Sequence, residues 1–443
     1  MDVQFTTIPN ADSTSVFEVD PKNGFMAPRV PLARLPKDWE PWEALLDAAI
    51  AERLRPGDTA GLTETDEARS ERWRAIVRQT PVLPTDQLQT SLPLLRRAHL
   101  VLAFLLHFYV QTLPTTAPVF IPRPISIPIL HVSNYLGMPP VVTFADTVLY
   151  NWTTKTPLDP AHFPPALDNL RSQTLFSGLP DEEEFYLSSA RIELRGVEAL
   201  DIMRMTMDEI FVGDNLAVGR ITKCLHRLAI VINDLRQLIL DVRKGCDPEM
   251  YYNDVRPWFR GEDSDESKRK WVFEGLEDLE GIEEPKELSG ASAGQSSLVH
   301  SLDCFLGVDN VRPSPESNPS FMARMQVYMP RSHRLFLDHL ADTNLPLRKF
   351  VEENGTQSKE LLEAYNKAVM ALKDFRDAHM IIVTLYIIGP ARRARKAKEE
   401  KERLEREKQE ALKGTGGTDL VKFLKGIRNQ TADTVISSTS KSF

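Results

Sequence analysis

Apolar residues three and four positions apart recur over long stretches of this chain, and that periodicity constrains the fold more than any other feature. Between Arg220 and Arg243, Ile221, Leu225, Leu228, Ile232, Leu235 and Ile239 make one continuous stripe, the pattern of a helix with one face in a core. Residues 196–210 and 360–388 repeat it, while strand-like alternation is scarce. The expected fold class is all-α. At roughly 150 residues per domain, 443 residues make two to three domains. Residues 153–180, polar with several prolines, read as the connection between a smaller N-terminal helical domain, 1–165, and a larger C-terminal one, 166–443. The proline-rich stretch 114–128 is expected not to be helical, because proline removes donors and constrains its neighbours. The charged stretch 261–288 reads as an exposed excursion, and the mixed-charge run 392–413 as a solvated helix or mobile linker.

Composition excludes several function classes. The net charge of −9 argues against a partner bound by phosphate neutralisation, so no nucleic acid is expected. Cys224, Cys246 and Cys304 form no C-x-x-C pair, which disfavours a disulfide framework, a structural zinc site and covalent haem attachment. The polar N-terminus has neither the apolar run of a signal peptide nor the arginines of a transit peptide. The most apolar stretches, Leu100–Val110 and Met380–Ile388, fall short of the roughly 20 residues of a membrane span and read as buried core helices. A cytoplasmic protein without membrane contact is expected. With nine histidines and three cysteines, any metal is expected to rest on histidine or carboxylate.

One histidine stands out. In the segment ALKDFRDAHMIIVTLYII, Leu372, Arg376, His379, Val383 and Tyr386 share a helical face. Beyond His379 the helix is apolar all round, the mark of a buried helix. A buried imidazole must satisfy its nitrogens or stay costly, and in neutral form it is a good iron ligand. A core histidine bonded to a backbone carbonyl satisfies the same pattern. The other eight histidines have no ligand spacing and read as structural or exposed.

Seven blocks then appear in order: LGMPPVVTFADTVLYNW (136–152), EFYLSSARIE (184–193), YYNDVRPWF (251–259), SGASAGQSS (289–297), YMPRSHRLFL (328–337), FRDAHMIIVTLYI (375–387) and GTGGTDLVKFLK (414–425). Together they resemble the indoleamine 2,3-dioxygenase family. The resemblance implies a small N-terminal helical domain and a larger C-terminal haem-binding one. It implies haem b, held non-covalently on a single axial histidine, here His379. Arg376 matches an arginine near a haem propionate, and Asp303 its acidic partner; a guanidinium suits a carboxylate bidentately.

The resemblance also assigns the substrate pocket. Arg256 matches the residue that clamps the substrate carboxylate, at a junction before Pro257 that disfavours α geometry and is expected to end or kink a helix through 251–255. Tyr251, where the family commonly has Phe, and Phe259 match pocket-wall positions. Phe185 matches the aromatic against the indole, and Ser189 a serine over the distal side of the haem. Phe144, Thr147 and Val148 match a helix that completes the distal wall. In SGASAGQSS, Ser292 and Gln295 fit a capping box for the following helix. The small residues Gly290, Ala291, Ala293 and Gly294 are expected to let backbone approach a flat ligand, with Ser292 and Ala293 distal and Ala291 at the haem edge. Ser188 and Arg191 are expected to loosen the end of their helix. GTGGTD, residues 414–419, lacks the ending of a phosphate loop and matches a mobile loop over the substrate, with Thr418 near the substrate's amino and carboxylate groups. The matched distal positions hold no His, Asp or Glu, so no strong general base is expected, which suits chemistry carried by a cofactor.

The function implied is insertion of both atoms of dioxygen across the indole C2–C3 bond of L-tryptophan, giving N-formylkynurenine, the first step of the kynurenine pathway toward NAD biosynthesis. The partners implied are tryptophan or a related indoleamine, dioxygen and an electron donor that reduces ferric haem; a monomer is expected. Two other readings stay open at this point. One is a haem-binding member with weak tryptophan turnover that acts on another indole or binds gas. The other is a helical interaction module without cofactor.

Overall fold

The computed structural model describes residues 16–158, 163–265, 267–308, 321–342, 346–401 and 424–429. Its architecture is helix on helix. The helices are α1 (Glu40–Ala51), α2 (Glu64–Gln79), α3 (Leu92–Gln111), α4 (Arg123–Leu136), α5 (Pro180–Arg195), α6 (Val197–Val212), α7 (Ala217–Asp241), α8 (Pro248–Met250), α9 (Ser297–Leu306), α10 (Phe321–Gln326), α11 (Arg331–Asp342), α12 (Pro346–Asn354), α13 (Lys359–Val383) and α14 (Gly389–Lys401). Strands among the described residues are three residues long and form two pairs. Val119–Ile121 runs parallel to Trp271–Phe273, and Trp152–Thr154 antiparallel to Leu170–Ser172.

The predicted stripe is real. Ile221, Leu225, Leu228, Ile232 and Leu235 of α7 are all fully buried, and each such side chain contributes about 1.5–3 kcal/mol on leaving water. Ile239, at the end of the stripe, is half-buried. Helix α7 packs along α13, the most extensive helix contact among the described residues. Two large clusters of buried apolar residues result, beside a small third one of Val383, Ile388 and Leu424. One is built around α1–α4 with residues 242–288, the other around α5–α13 with residues 25–27 and 138–152. Each of these two large clusters draws residues from both sides of position 165.

Three local expectations need correction. Part of 114–128 is helical: α4 starts at Arg123 with Pro122 as its N-cap, Pro124 in its first turn and Pro128 inside it. Proline is tolerated in a first turn, whose N–H groups have no intrahelical partner anyway. At Arg256 the helical stretch through 251–255 does end, as expected, but not by leaving α geometry. Tyr251–Val255 is a π turn, and Arg256, itself αR, opens a 3-10 turn to Phe259. Finally, Met380–Ile388 is not buried all round, since Ile381 is 47% and Leu385 41% exposed. By contrast α3, long and apolar enough to cross a membrane by length and composition, is buried inside the fold.

Candidate active site

In α5, residues 185, 189, 192 and 193 fall on one face at helical spacing. Phe185, Ser189, Ile192 and Glu193 all border one cavity, about 210 Å³ open to the centre of a water molecule. The polar residues of this helix do not loosen it. Ser188 is buried and donates to the Leu238 carbonyl at 3.3 Å, and Arg191 grips Glu184 at 2.5 and 3.1 Å.

Three π turns converge on the same cavity. Ala145–Leu149, with Phe144 before it, brings Thr147 and Val148; Tyr251–Val255 brings Tyr251; Thr384–Ile388, which continues α13, brings Tyr386 and Ile387. A π turn shifts side-chain register within a helix and is frequent at functional sites. Here the shifts gather aromatic rings: Phe185 lies 4.4 Å from Tyr251, Tyr251 meets Tyr386 edge-on at 5.7 Å, and Phe259 stacks on Phe185 at 6.3 Å. The Tyr386 hydroxyl donates to the Cys246 carbonyl at 2.6 Å, fixing its ring.

The stretch 290–296 closes another side. Ser292 does not cap α9; it caps a single 3-10 turn by accepting from the Gly294 amide at 3.2 Å. Ser296 caps α9, accepting from the Val299 amide. Gln295 is a tie rather than a cap partner: its Oε1 accepts from the Phe144 amide at 2.8 Å and its Nε2 donates to the Gly290 carbonyl at 2.9 Å. The glycines serve chain-to-chain packing. A Cβ on Gly290 would overlap the Phe259 carbonyl oxygen, and one on Gly294 would press on Met325 and Phe321 at 3.2 Å. Ala291, Ser292, Ala293 and Gly294 nonetheless border the cavity, as expected.

From α13 come Phe375, Arg376, His379, Ile382 and Val383. Arg376 and Asp303 of α9, both buried, form an ion pair. The His379 imidazole has no hydrogen-bond partner among the described residues. Burial, aided by the Arg376 charge, pushes its pKa down to about 4, so it is neutral near pH 7.

Arg256 is buried with its guanidinium 5.4 Å from the Tyr252 ring, and it is not part of the cavity lining. Thr418 lies outside the described residues.

The sequence model of the indoleamine 2,3-dioxygenase family matches residues 13–434. The chain belongs to that family. It is 31% identical over 390 residues to the indoleamine 2,3-dioxygenase of Saccharomyces cerevisiae, covering 84% of this chain and 80% of the relative. It is 30% identical over 390 residues to indoleamine 2,3-dioxygenase 1 of Mus musculus, covering 87% and 88%. It is also 30% identical over 380 residues to a 6-hydroxytryptophan 2,3-dioxygenase of Fusarium equiseti, covering 85% of each. As a member of the indoleamine 2,3-dioxygenase family, the protein is an oxidoreductase, a haem-dependent dioxygenase of indoles.

The residues present fit a haem. A neutral imidazole without a hydrogen-bond partner is the donor haem iron takes, and the Phe144, Val148, Ile192 and Ile382 side chains bordering the cavity are apolar. Among the described residues no three His, Cys, Asp or Glu side chains gather to hold a bare metal ion.

Four features of this dioxygenase escaped the sequence reading. Phe321 and Met322, from a segment with no matched site residue, and Leu424 and Ile427 near the C-terminus, which had no matched role, border the cavity. Tyr386 was placed on the His379 face without a pocket role. Glu193, outside the matched distal positions, also borders the cavity. It sits one turn beyond Ser189 on the same face, and the four-residue spacing 185, 189, 193 would have found it.

Proposed function

We propose that this dioxygenase inserts both oxygen atoms of O2 across the indole C2–C3 bond of L-tryptophan, giving N-formylkynurenine. The observation that carries the reading is the His379 imidazole, neutral and unpartnered on a largely apolar cavity wall, with an aromatic cluster bordering the same space. His379 would hold haem b as its single axial protein ligand, and the Arg376–Asp303 pair would anchor a propionate. Bound there, the cofactor supplies the one-electron chemistry that dioxygen needs to react with an indole, once a reductant has made its iron ferrous.

The chain's own task is positioning and exclusion of water. Phe185, Tyr251 and Phe259 offer ring faces and edges to an indole. Arg256, with five donors in a planar fork, suits the substrate carboxylate, and Thr418 would complete the contact to the amino-acid end. Phe144, Thr147 and Val148, with Ser189, Ser292 and Ala293, close the distal side.

The reading is tested by single-turnover oxidation of tryptophan by the ferrous protein under ¹⁸O2. The expected product is N-formylkynurenine with both added oxygens labelled; absence of that product defeats the proposal. A second reading, a ring-hydroxylated tryptophan as preferred substrate, is favoured by one observation. Tyr251 puts a phenol beside Phe185, a hydrogen-bonding group in a wall that stacks an indole. The ratio of kcat/KM for hydroxytryptophan and tryptophan decides between them.

A further inference from the structure

Two glutamates of α5 are buried, and they differ in one respect. Glu182 is saturated: it accepts from the Phe176 and Ser177 amides at 2.7 Å each, the Ser177 hydroxyl at 2.6 Å and the Tyr186 hydroxyl at 2.9 Å. Glu193, 2% exposed, accepts one bond, from the Ser296 hydroxyl to Oε1 at 2.6 Å. Its other oxygen, Oε2, is buried with no hydrogen-bond partner among the described residues, on a residue that borders the cavity. A carboxylate left in that condition is costly, and a neutral acid much less so.

We propose that Glu193 is a neutral acid in the wall of the haem cavity and that occupation of the cavity fixes the proton on it, so that haem binding and proton uptake are linked. The proposal rests on the haem reading above.

No cation offsets a charge on Glu193. Besides Glu193, the titratable groups bordering the cavity among the described residues are Tyr186 on α5, Arg376 and His379 on α13, and Tyr251 and Tyr386 on their π turns; His300 and Asp303 stand on α9, the helix that Ser296 caps. Burial, opposed by the Ser296 hydroxyl, raises the Glu193 carboxyl to about 7, and no charged group adds to either. An apolar disc in the cavity removes remaining water and raises it further. The sign follows from linkage. The protonated form binds haem better, so affinity is highest below pH 7 and falls as the pH rises through the value of the empty protein. The other groups titrate elsewhere. His379 is pushed down to about 4 and His300 is also lowered, while Tyr186, Tyr251 and Tyr386 are raised.

The test is equilibrium partition of haem between the full-length protein and excess apomyoglobin, read by the Soret bands from pH 6 to pH 9. Taking the ratio of wild type to Glu193→Gln at each pH cancels the acceptor's own pH dependence. The ratio should fall by up to about tenfold per unit above pH 7; a flat ratio overturns the proposal. Should Glu193→Gln not fold, Ser296→Ala serves. Losing the one bond that favours the charged form should move the fall in wild-type haem retention to higher pH, and an unmoved midpoint overturns the linkage. Absence of a Soret band already at pH 6 defeats the haem reading instead, which keeps the two failures distinct.

Discussion

Helices α3 and α13 are both long, both carry histidines and do opposite things. The α3 histidines are buried, and His379 of α13 is half-buried on the cavity. His107 of α3 and His379 of α13 are each driven down to about 4 by burial, so both are neutral near pH 7. The difference lies in their partners. His107 bonds the Trp258 carbonyl through Nδ1 at 2.8 Å and accepts from the Val142 amide through Nε2 at 3.2 Å. Its neighbour His99 holds Asp146 at 2.7 Å and the Pro139 carbonyl at 3.1 Å. Their nitrogens are spent on joining α3 to the loops around it. His379 spends neither nitrogen on the described protein and borders the cavity. Protonation state does not separate a ligand from a core histidine here; hydrogen-bond satisfaction does.

That contrast can be broken or sharpened by substitution, and the largest effect on folding is expected at the ion pair that flanks the ligand. Asp303→Ala leaves the Arg376 guanidinium buried without its carboxylate, a loss of about 3–5 kcal/mol, and should weaken haem retention as well. Denaturant unfolding and the Soret band read the two effects separately. His107→Ala removes two buried bonds and leaves a carbonyl and an amide unpaired, at a cost of about 2–4 kcal/mol. Its Soret band should be retained, and loss of the band in a folded His107→Ala protein would erase the contrast.

Arg256→Ala should act on substrate alone. Loss of a charge-assisted contact worth about 1.5–3 kcal/mol raises KM for tryptophan by roughly tenfold to a hundredfold, with the haem spectrum unchanged. An unchanged KM would remove the clamp role from a side chain that stands outside the cavity lining. Tyr251→Phe should be smallest, below about tenfold in kcat/KM for tryptophan, a fraction of one hydrogen bond. It should lower the rate with a hydroxytryptophan more than with tryptophan.

The α7 stripe and the cavity face of α13 were legible because helical periodicity is local: a side chain's face follows from its position every 3.6 residues. Arg376 with Asp303, 73 positions apart, came from the family resemblance, as spacing says nothing about a contact between separate helices. The three π turns were not legible. Each inserts an extra residue whose register depends on what it packs against, and nothing in YYNDV or TLYII specifies that. The same holds for Gly290, read as room for a ligand and found against the Phe259 carbonyl. Glu193 is legible by the same helical periodicity, one turn beyond Ser189 in the four-residue repeat 185, 189, 193.

The central claim is that His379 leaves a ring nitrogen free of protein partners because haem iron takes it. The direct measurement is the visible spectrum of reconstituted wild type beside His379→Ala and His107→Ala. The account predicts a Soret band in wild type and His107→Ala, and its loss or marked shift in His379→Ala alone. A band that His379→Ala leaves unchanged, or that His107→Ala removes from folded protein, would contradict it.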